Sequence, residues 1–195
     1  MSDLKIGIIL GSTRPGRRGD QVARWVLEQA EGRDGVTYEL VDLADFALPH
    51  LDEAMPPSMG QYSNDHTKAW SEAIARFDGY IFVTPEYNHS TSGALKNAID
   101  YLYNEWTNKA AGFVSYGFAS NGTRAVEHLR LIVGELQIAD VRQQVGVSIA
   151  TDFENYETLK PMPHLEPGLA TMFDQVEAWS GALRTVREQA VLAAA

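Results

Sequence analysis

Short apolar runs alternate with segments of helical pattern along most of the 195 residues of this chain. Alternation of this kind is typical of a parallel sheet covered by helices. The predicted strands are Lys5–Leu10, Thr37–Leu43, Gly79–Thr84, Ala111–Tyr116 and Val141–Ser148. The predicted helices are about Asp20–Glu31, Asp65–Phe77, Gly93–Trp106, Thr123–Leu136 and Pro167–Glu188.

The strands also favour one topology. The first, third and fourth are continuous apolar runs, which suits parallel strands that are buried on both faces. Five such strands predict an α/β, flavodoxin-like, doubly wound parallel sheet of order 2-1-3-4-5, with helices on both faces. In that order the ligand site lies at the carboxyl ends of strands 1 and 3. A chain of this length is expected to form a single domain over residues 1–195.

A polar loop follows the third predicted strand. It contains Pro85, Glu86, Tyr87 and Asn88, and a helix is expected to begin at Gly93. Pro85 fixes its own φ and restricts the residue before it, so the loop is expected to be stiff. A stiff loop can hold backbone N–H and C=O groups against the edge of a flat ring. The alternative is an ordinary connection that ends in a helix cap.

A loop rich in glycine and arginine follows the first predicted strand, over residues 11–20. Such a loop presents backbone N–H groups and a helix N-terminus to an anion. Ser12 adds a hydroxyl, and Arg14, Arg17 and Arg18 add positive charge to a chain with 16 basic and 26 acidic residues. The alternative is a solvated turn whose arginines balance nearby acids. The Walker and dinucleotide glycine patterns are both missing, so a mononucleotide phosphate is favoured.

Together these segments resemble the NADPH-dependent FMN reductase family, which includes flavodoxin-like quinone, azo-dye and chromate reductases. Residues 11–14, 84–88 and 92–100 carry the resemblance, which covers about residues 5–150. It implies bound FMN as cofactor, NADPH or NADH as hydride donor, and quinone, azo, metal-ion or flavin acceptors. Many members have Ser and Asn where this chain has Arg17, Arg18 and Gly19, so the residues that complete the phosphate site after Arg14 stay open.

The resemblance implies a set of cofactor-binding residues and no catalytic side chain, because the cofactor carries the chemistry of hydride transfer. By resemblance the loop after strand 4 packs along the flavin, with Ser115 as a donor and Tyr116 beside it. A Tyr116 ring that merely covers the core is the alternative. The implied cofactor-binding residues are Ser12, Arg14, Arg17, Arg18, Gly19, Pro85, Glu86, Tyr87, Asn88, Ser115, Tyr116 and Gly117.

Composition excludes several function classes. A formal net charge of −10 argues against nucleic acid or an anionic membrane as partner. The lack of cysteine excludes disulfides and thiolate metal sites, and no histidine pair has metal-ligand spacing, so no metal site is predicted. No apolar run approaches the roughly 20 residues of a membrane span and no secretory signal is visible, so a cytoplasmic location is expected.

Two further features bear on assembly and on rival functions. The long connection Ala44–Asn64 is expected either to wall the active site or to contact a second subunit. Tyr101, Tyr103 and Trp106 are expected to form either a subunit interface or core. With the resemblance, these features predict a homodimer or a dimer of dimers. A flavodoxin-type electron carrier without enzymatic activity and a nucleotide-sensing regulatory module are the alternative functions.

Overall fold

Five parallel strands form the central sheet of the computed structural model, which describes residues 3–160 and 162–194. They are β1 (Leu4–Leu10), β2 (Val36–Asp42), β3 (Gly79–Pro85), β4 (Lys109–Gly117) and β5 (Ile138–Ser148). Their order is β2-β1-β3-β4-β5, with parallel pairing throughout, which confirms the predicted flavodoxin-like topology.

Helices cover both faces of this sheet, and short elements occupy the longer connections. The helices are α1 (Gly19–Gln29), α2 (Asp65–Ala75), α3 (Gly93–Asp100), α4 (Thr123–Glu135) and α5 (Glu166–Ala194). Two short 3₁₀ helices, Leu43–Phe46 and Pro57–Met59, lie in the connection after β2. A small antiparallel hairpin, β6 (Phe153–Glu154) and β7 (Thr158–Leu159), lies between β5 and α5.

The core is divided into two layers by the sheet. Every residue of β3 and β4 is buried, as expected for central parallel strands. One layer packs Val22 of α1 and Phe173 of α5 against one face, and the other packs Trp70 of α2 and Leu129 of α4 against the opposite face. Because both faces are covered, ligands have access only at the strand ends, where the loops lie.

The third helix is shorter than predicted, because it ends at Asp100 rather than Trp106. Beyond it, tight turns direct the Tyr101 and Trp106 rings into the core, where both are completely buried. The Trp106 indole N–H donates to the Ile99 carbonyl at 3.2 Å, which fixes the turn. Tyr101 and Trp106 therefore belong to the core, and only the half-buried Tyr103 remains available to an interface.

The long connection after β2 is anchored to α3. The Asn97 side-chain amide donates to the Pro49 carbonyl at 2.6 Å, and its oxygen accepts the Leu51 N–H at 3.0 Å. Within the described residues no helix is long and apolar enough to cross a membrane.

Candidate functional site

A pocket of about 220 Å³ opens where the loops after β1, β3 and β4 meet at the carboxyl edge of the sheet. Its lining includes eight of the twelve predicted cofactor-binding residues. Those eight are Arg14, Arg17, Arg18, Pro85, Glu86, Tyr87, Tyr116 and Gly117, and Phe118 and Ile149 complete the wall. The other four lie outside this lining: Ser12 and Asn88 are in the same loops, Gly19 begins α1 and Ser115 lies near the end of β4.

The loop after β1 is held directly to the loop after β3. The Gly11 N–H donates to the Val83 carbonyl at 2.9 Å, and a Cβ at Gly11 would lie only 2.8 Å from Leu95. The next residue, Ser12, is buried, and its hydroxyl shares a 3.1 Å hydrogen bond with the Tyr87 hydroxyl. Two polar motifs that are 75 residues apart in the sequence are therefore joined by their own side chains.

The start of α1 is suited to an anion. The helix begins at Gly19, and the residue before it, Arg18, gives no side-chain cap. The first amides of a helix have no partner inside it and carry a partial positive charge. The residues present therefore leave the positive end of α1 without a side-chain cap, beside the pocket.

The three arginines of this loop have different partners. Arg17 makes a two-point ion pair with Asp42, including an Nη1–Oδ1 bond of 2.9 Å, and this pairing raises the pKa of its guanidinium. Arg18 donates to the carbonyls of Tyr156 and Gly16, both at 2.8 Å. Arg18 also lies near an acid, since its Nη2 is 3.9 Å from the Glu157 carboxylate. The alternative of arginines that balance nearby acids therefore describes Arg17 fully and Arg18 in part.

Arg14 differs from these two arginines because it is exposed and, within residues 3–160 and 162–194, no carboxylate pairs with it. Its guanidinium lies 6.0 Å from the centre of the Tyr87 ring, within the range of a cation–π contact. Arg14 is therefore the arginine of this loop that is available to an anionic ligand.

The loop after β3 contains a tight turn. Tyr87 and Ser90 exchange N–H···O bonds of 2.9 and 3.1 Å, and Asn88 and His89 between them have φ values of 50° and 71°. Positive φ at both central positions is typical of a type I′ turn, which Asn tolerates well. The Glu86 N–H donates to the Tyr116 carbonyl at 3.2 Å, so the amides of Glu86 and Tyr87 are both occupied within the protein.

Glu86 connects the loop after β3 to the start of α4. Its carboxylate accepts hydrogen bonds from the Arg124 backbone N–H at 3.2 Å, the Arg124 Nε at 2.6 Å and the Ser120 hydroxyl at 2.5 Å. Burial opposes its charge, but the hydrogen bonds from Arg124 and Ser120 outweigh this effect and lower the pKa of Glu86. Glu86 therefore holds two loops of the pocket together and compensates the positive end of α4.

The end of β4 forms part of the pocket lining through Tyr116 and Gly117. The buried Ser115 hydroxyl donates to the Asn121 carbonyl at 2.8 Å, so its hydrogen is used within the loop. A Cβ at Gly117 would lie 3.1 Å from the Gly122 nitrogen, which favours glycine there. Tyr116 directs its ring toward the start of α1, where its hydroxyl lies close to Gly19.

Sequence reasoning missed two aromatic residues beside the pocket. Phe118 is 59% exposed and Tyr156 is 56% exposed, and their ring centres lie 5.6 Å apart. Phe118 directly follows the predicted site residue Gly117, so its place near the pocket could have been found from the sequence. Tyr156 lies in the turn between β6 and β7, which carried no signal of function.

Two other observations complete the description of this edge. A second pocket of about 370 Å³ lies between Thr13 of the first loop, the 3₁₀ helix Leu43–Phe46 and α3. The connection after β2 thus walls this part of the strand edge.

Among the described residues, no group of three or more His, Cys, Asp or Glu side chains is arranged to hold a metal ion.

Comparison with known proteins identifies relatives with a shared activity. The model of the family described as NADPH-dependent FMN reductase matches residues 4–152. An NAD(P)H-dependent FMN reductase of Nectria sp is 42% identical over 158 residues, covering 76% of this chain and 78% of the relative. An NAD(P)H:quinone oxidoreductase of Solanum tuberosum is 34% identical over 133 residues, covering 66% of each chain.

A solved structure shares the fold. The flavoenzyme NAD(P)H:(acceptor) oxidoreductase of Paracoccus denitrificans superimposes with a TM-score of 0.72, covering 92% of this chain and 98% of the other. The two sequences are 19% identical, so the likeness supports the common architecture alone.

We expect replacement of Glu86 by Gln to destabilise the protein, because Gln cannot form the ion pair with Arg124. The free energy of unfolding at pH 7, measured by urea denaturation, should fall by about 2 kcal/mol. Since the folded state lowers the pKa of Glu86 from its ordinary 4.5, its contribution is complete above that value and is lost as the pH falls further. The deficit of the variant should therefore shrink in acid.

Glu127→Gln is the matched control, because this glutamate lies on α4 with a largely exposed side chain. It should change stability by less than about 0.5 kcal/mol. Equal effects of the two substitutions, or a Glu86→Gln deficit that does not shrink at all as the pH is lowered below 4.5, would contradict the assignment of Glu86 as the link between the loops.

Proposed function

This chain belongs to the NADPH-dependent FMN reductase family, and we propose that it reduces quinone, azo, metal-ion or flavin acceptors at the pocket between the loops after β1, β3 and β4. As in its relatives, the activity is that of an NAD(P)H-dependent oxidoreductase with FMN as cofactor. When bound, FMN supplies the hydride and electron chemistry. The observation that supports this site best is the convergence of Arg14, the uncapped start of α1 and the loop after β3.

The residues at the start of α1 fit the phosphate of FMN. The helix start offers amides without a side-chain cap, and Arg14 offers a charge that no carboxylate within the described residues neutralises. The Tyr116 hydroxyl is buried and has no hydrogen-bond partner in the described chain. Arg17 fits less well, because Asp42 already occupies its guanidinium. In this proposal Arg14 binds the phosphate and Arg17 shapes the loop.

The other two loops would hold the flat ring. Pro85 is buried and the Tyr87 hydroxyl is hydrogen-bonded to Ser12, so this side of the pocket is stiff. Because the amides of Glu86 and Tyr87 are occupied, hydrogen bonds donated by this loop would have to come from Asn88 or from side chains. The absence of a side chain at Gly117 leaves room for close approach along β4. In this proposal these residues would orient the ring, and nicotinamide and acceptor would use the same open side of the pocket in turn.

The decisive experiment separates an enzyme from an electron carrier. The purified protein is titrated with FMN, its absorbance spectrum is recorded before and after NADPH, and steady-state NADPH oxidation is followed with 1,4-benzoquinone. We expect a bound-flavin spectrum, bleaching by NADPH and turnover with the quinone. Reversible flavin binding without NADPH oxidation would instead indicate a flavodoxin-type carrier, and failure to bind FMN would favour the regulatory module.

We predict that Arg14→Ala weakens FMN binding by about 1.5–3 kcal/mol, the usual contribution of a hydrogen bond to a charged group. Riboflavin has no phosphate and should bind nearly as tightly as it does to the parent. Fluorescence titration of both flavins measures the difference. Arg24→Ala is the control, because Arg24 is an exposed arginine within α1. Equal losses for both flavins would place the phosphate elsewhere.

We also propose that the protein is cytoplasmic and acts as a homodimer or a dimer of dimers. Supporting this assembly is an open recess beside the loop after β3, which is lined by Ser90–Gly93, Lys96, His128, Leu131 and Ile132. Leu131 within it is 79% exposed, and a second copy would remove this apolar surface from water.

Light scattering at micromolar concentration should report a multiple of the 21.5 kDa monomer mass. Leu131→Glu should lower that mass, whereas Val186→Glu, at an exposed position on α5, should leave it unchanged. A parent protein that is monomeric and fully active would refute the assembly.

A further inference from the structure

The Tyr116 hydroxyl is a buried hydrogen-bond donor without a partner. The residue is only 4% exposed, and its hydroxyl oxygen makes no hydrogen bond within the described residues. Burial raises the pKa of this phenol well above its ordinary value, so it keeps its proton and can donate. An unsatisfied buried polar group destabilises a folded protein, so native proteins seldom keep one without a reason.

The hydroxyl occupies a specific place at the start of α1. A Cβ added to Gly19, the first residue of that helix, would lie 2.5 Å from the Tyr116 oxygen. Glycine at this position therefore makes room for a hydroxyl that arrives from β4. In effect, Tyr116 fills the space that a side chain of residue 19 would otherwise take.

The surroundings of this hydroxyl are those of an anion site. It lies at a helix start without a side-chain cap, and the positive charge of Arg14 acts on it. The Ser12 hydroxyl is close enough to lower the pKa of Tyr116, but its hydrogen bond of 3.1 Å is shared with the Tyr87 hydroxyl. Three other buried side-chain oxygens in the described chain also lack partners, those of Asp20, Thr67 and Ser180. Tyr116 alone among these four residues lines the pocket at the carboxyl edge of β1, β3 and β4.

We propose that the Tyr116 hydroxyl donates a hydrogen bond to the phosphate of FMN. It would do so from the space that a side chain at position 19 would otherwise fill. This inference rests on the proposed function and deepens it, because it names a ligand of the phosphate beyond the first loop. It makes Tyr116 a binding residue that distinguishes FMN from riboflavin. The reacting end of the flavin does not need to touch it.

Tyr116→Phe tests the proposal, because it removes one oxygen and keeps the ring. The dissociation constants of FMN and riboflavin are measured by fluorescence titration of the flavin-free protein. We expect the FMN constant to rise about tenfold, as for the loss of one hydrogen bond to a charged group, while the riboflavin constant changes less than about twofold. Tyr103→Phe, a half-buried tyrosine beyond α3, is the matched control and should alter neither constant.

The melting temperature of the flavin-free protein gives an independent readout. Because the hydroxyl has no partner in the chain, its removal should leave this temperature unchanged or raise it, whereas the FMN complex of the variant should melt lower than that of the parent. A large loss of stability without flavin would show an internal partner for the hydroxyl and overturn the inference.

Equal weakening of FMN and riboflavin binding would show that the substitution disturbs only the packing of the ring. Unchanged binding of both flavins would show that the hydroxyl does not contact the phosphate. Either result overturns the inference while the proposed function stands. A parent protein that binds neither flavin would overturn the proposed function and this inference with it.

Discussion

The parallel pairing of β1, β3 and β4 fixes the geometry of the candidate site. Leu10 lies opposite Val83, and Val83 lies opposite Val114, so the three strands reach the same edge at nearly the same level. All residues of β3 and β4 are buried, and a shift of one residue would turn every side chain to the wrong face. The loops that leave these strands therefore begin close together.

Ion pairs within the loops determine which positive groups remain available to a ligand. The chain carries a formal net charge of −10, so an anion needs a local positive site. Arg17 is neutralised by Asp42, and Arg124 is paired with Glu86. These pairs stabilise the loops rather than attract a phosphate. Attraction of an anion therefore depends on Arg14 and on the start of α1, where the backbone N–H groups point out of the helix toward a ligand.

The sequence predicted the fold and the positions of the site loops because both depend on local patterns. Buried parallel strands are continuous apolar runs, and the polar residues that follow them must emerge at one edge. The direction of each side chain was not predictable. Glu86 pairs with Arg124, which is 38 residues away in the sequence, and Arg17 pairs with Asp42, which is 25 residues away. These ion pairs therefore exist only in the folded chain. The early end of α3 likewise depends on the burial of Trp106.

The hairpin beside the pocket is tied to α1, the helix whose start is proposed to bind the phosphate. Gln21 of α1 donates to the Glu157 carbonyl and accepts the Leu159 N–H, both at 2.8 Å, so the hairpin of β6 and β7 is fixed to α1. Arg18 adds a bond to the Tyr156 carbonyl rather than to its ring. The exposed rings of Tyr156 and Phe118 therefore carry none of these bonds. Under the proposed function, substitution of either ring would change the surface offered to an acceptor, while α1 and the hairpin keep the hydrogen bonds between them.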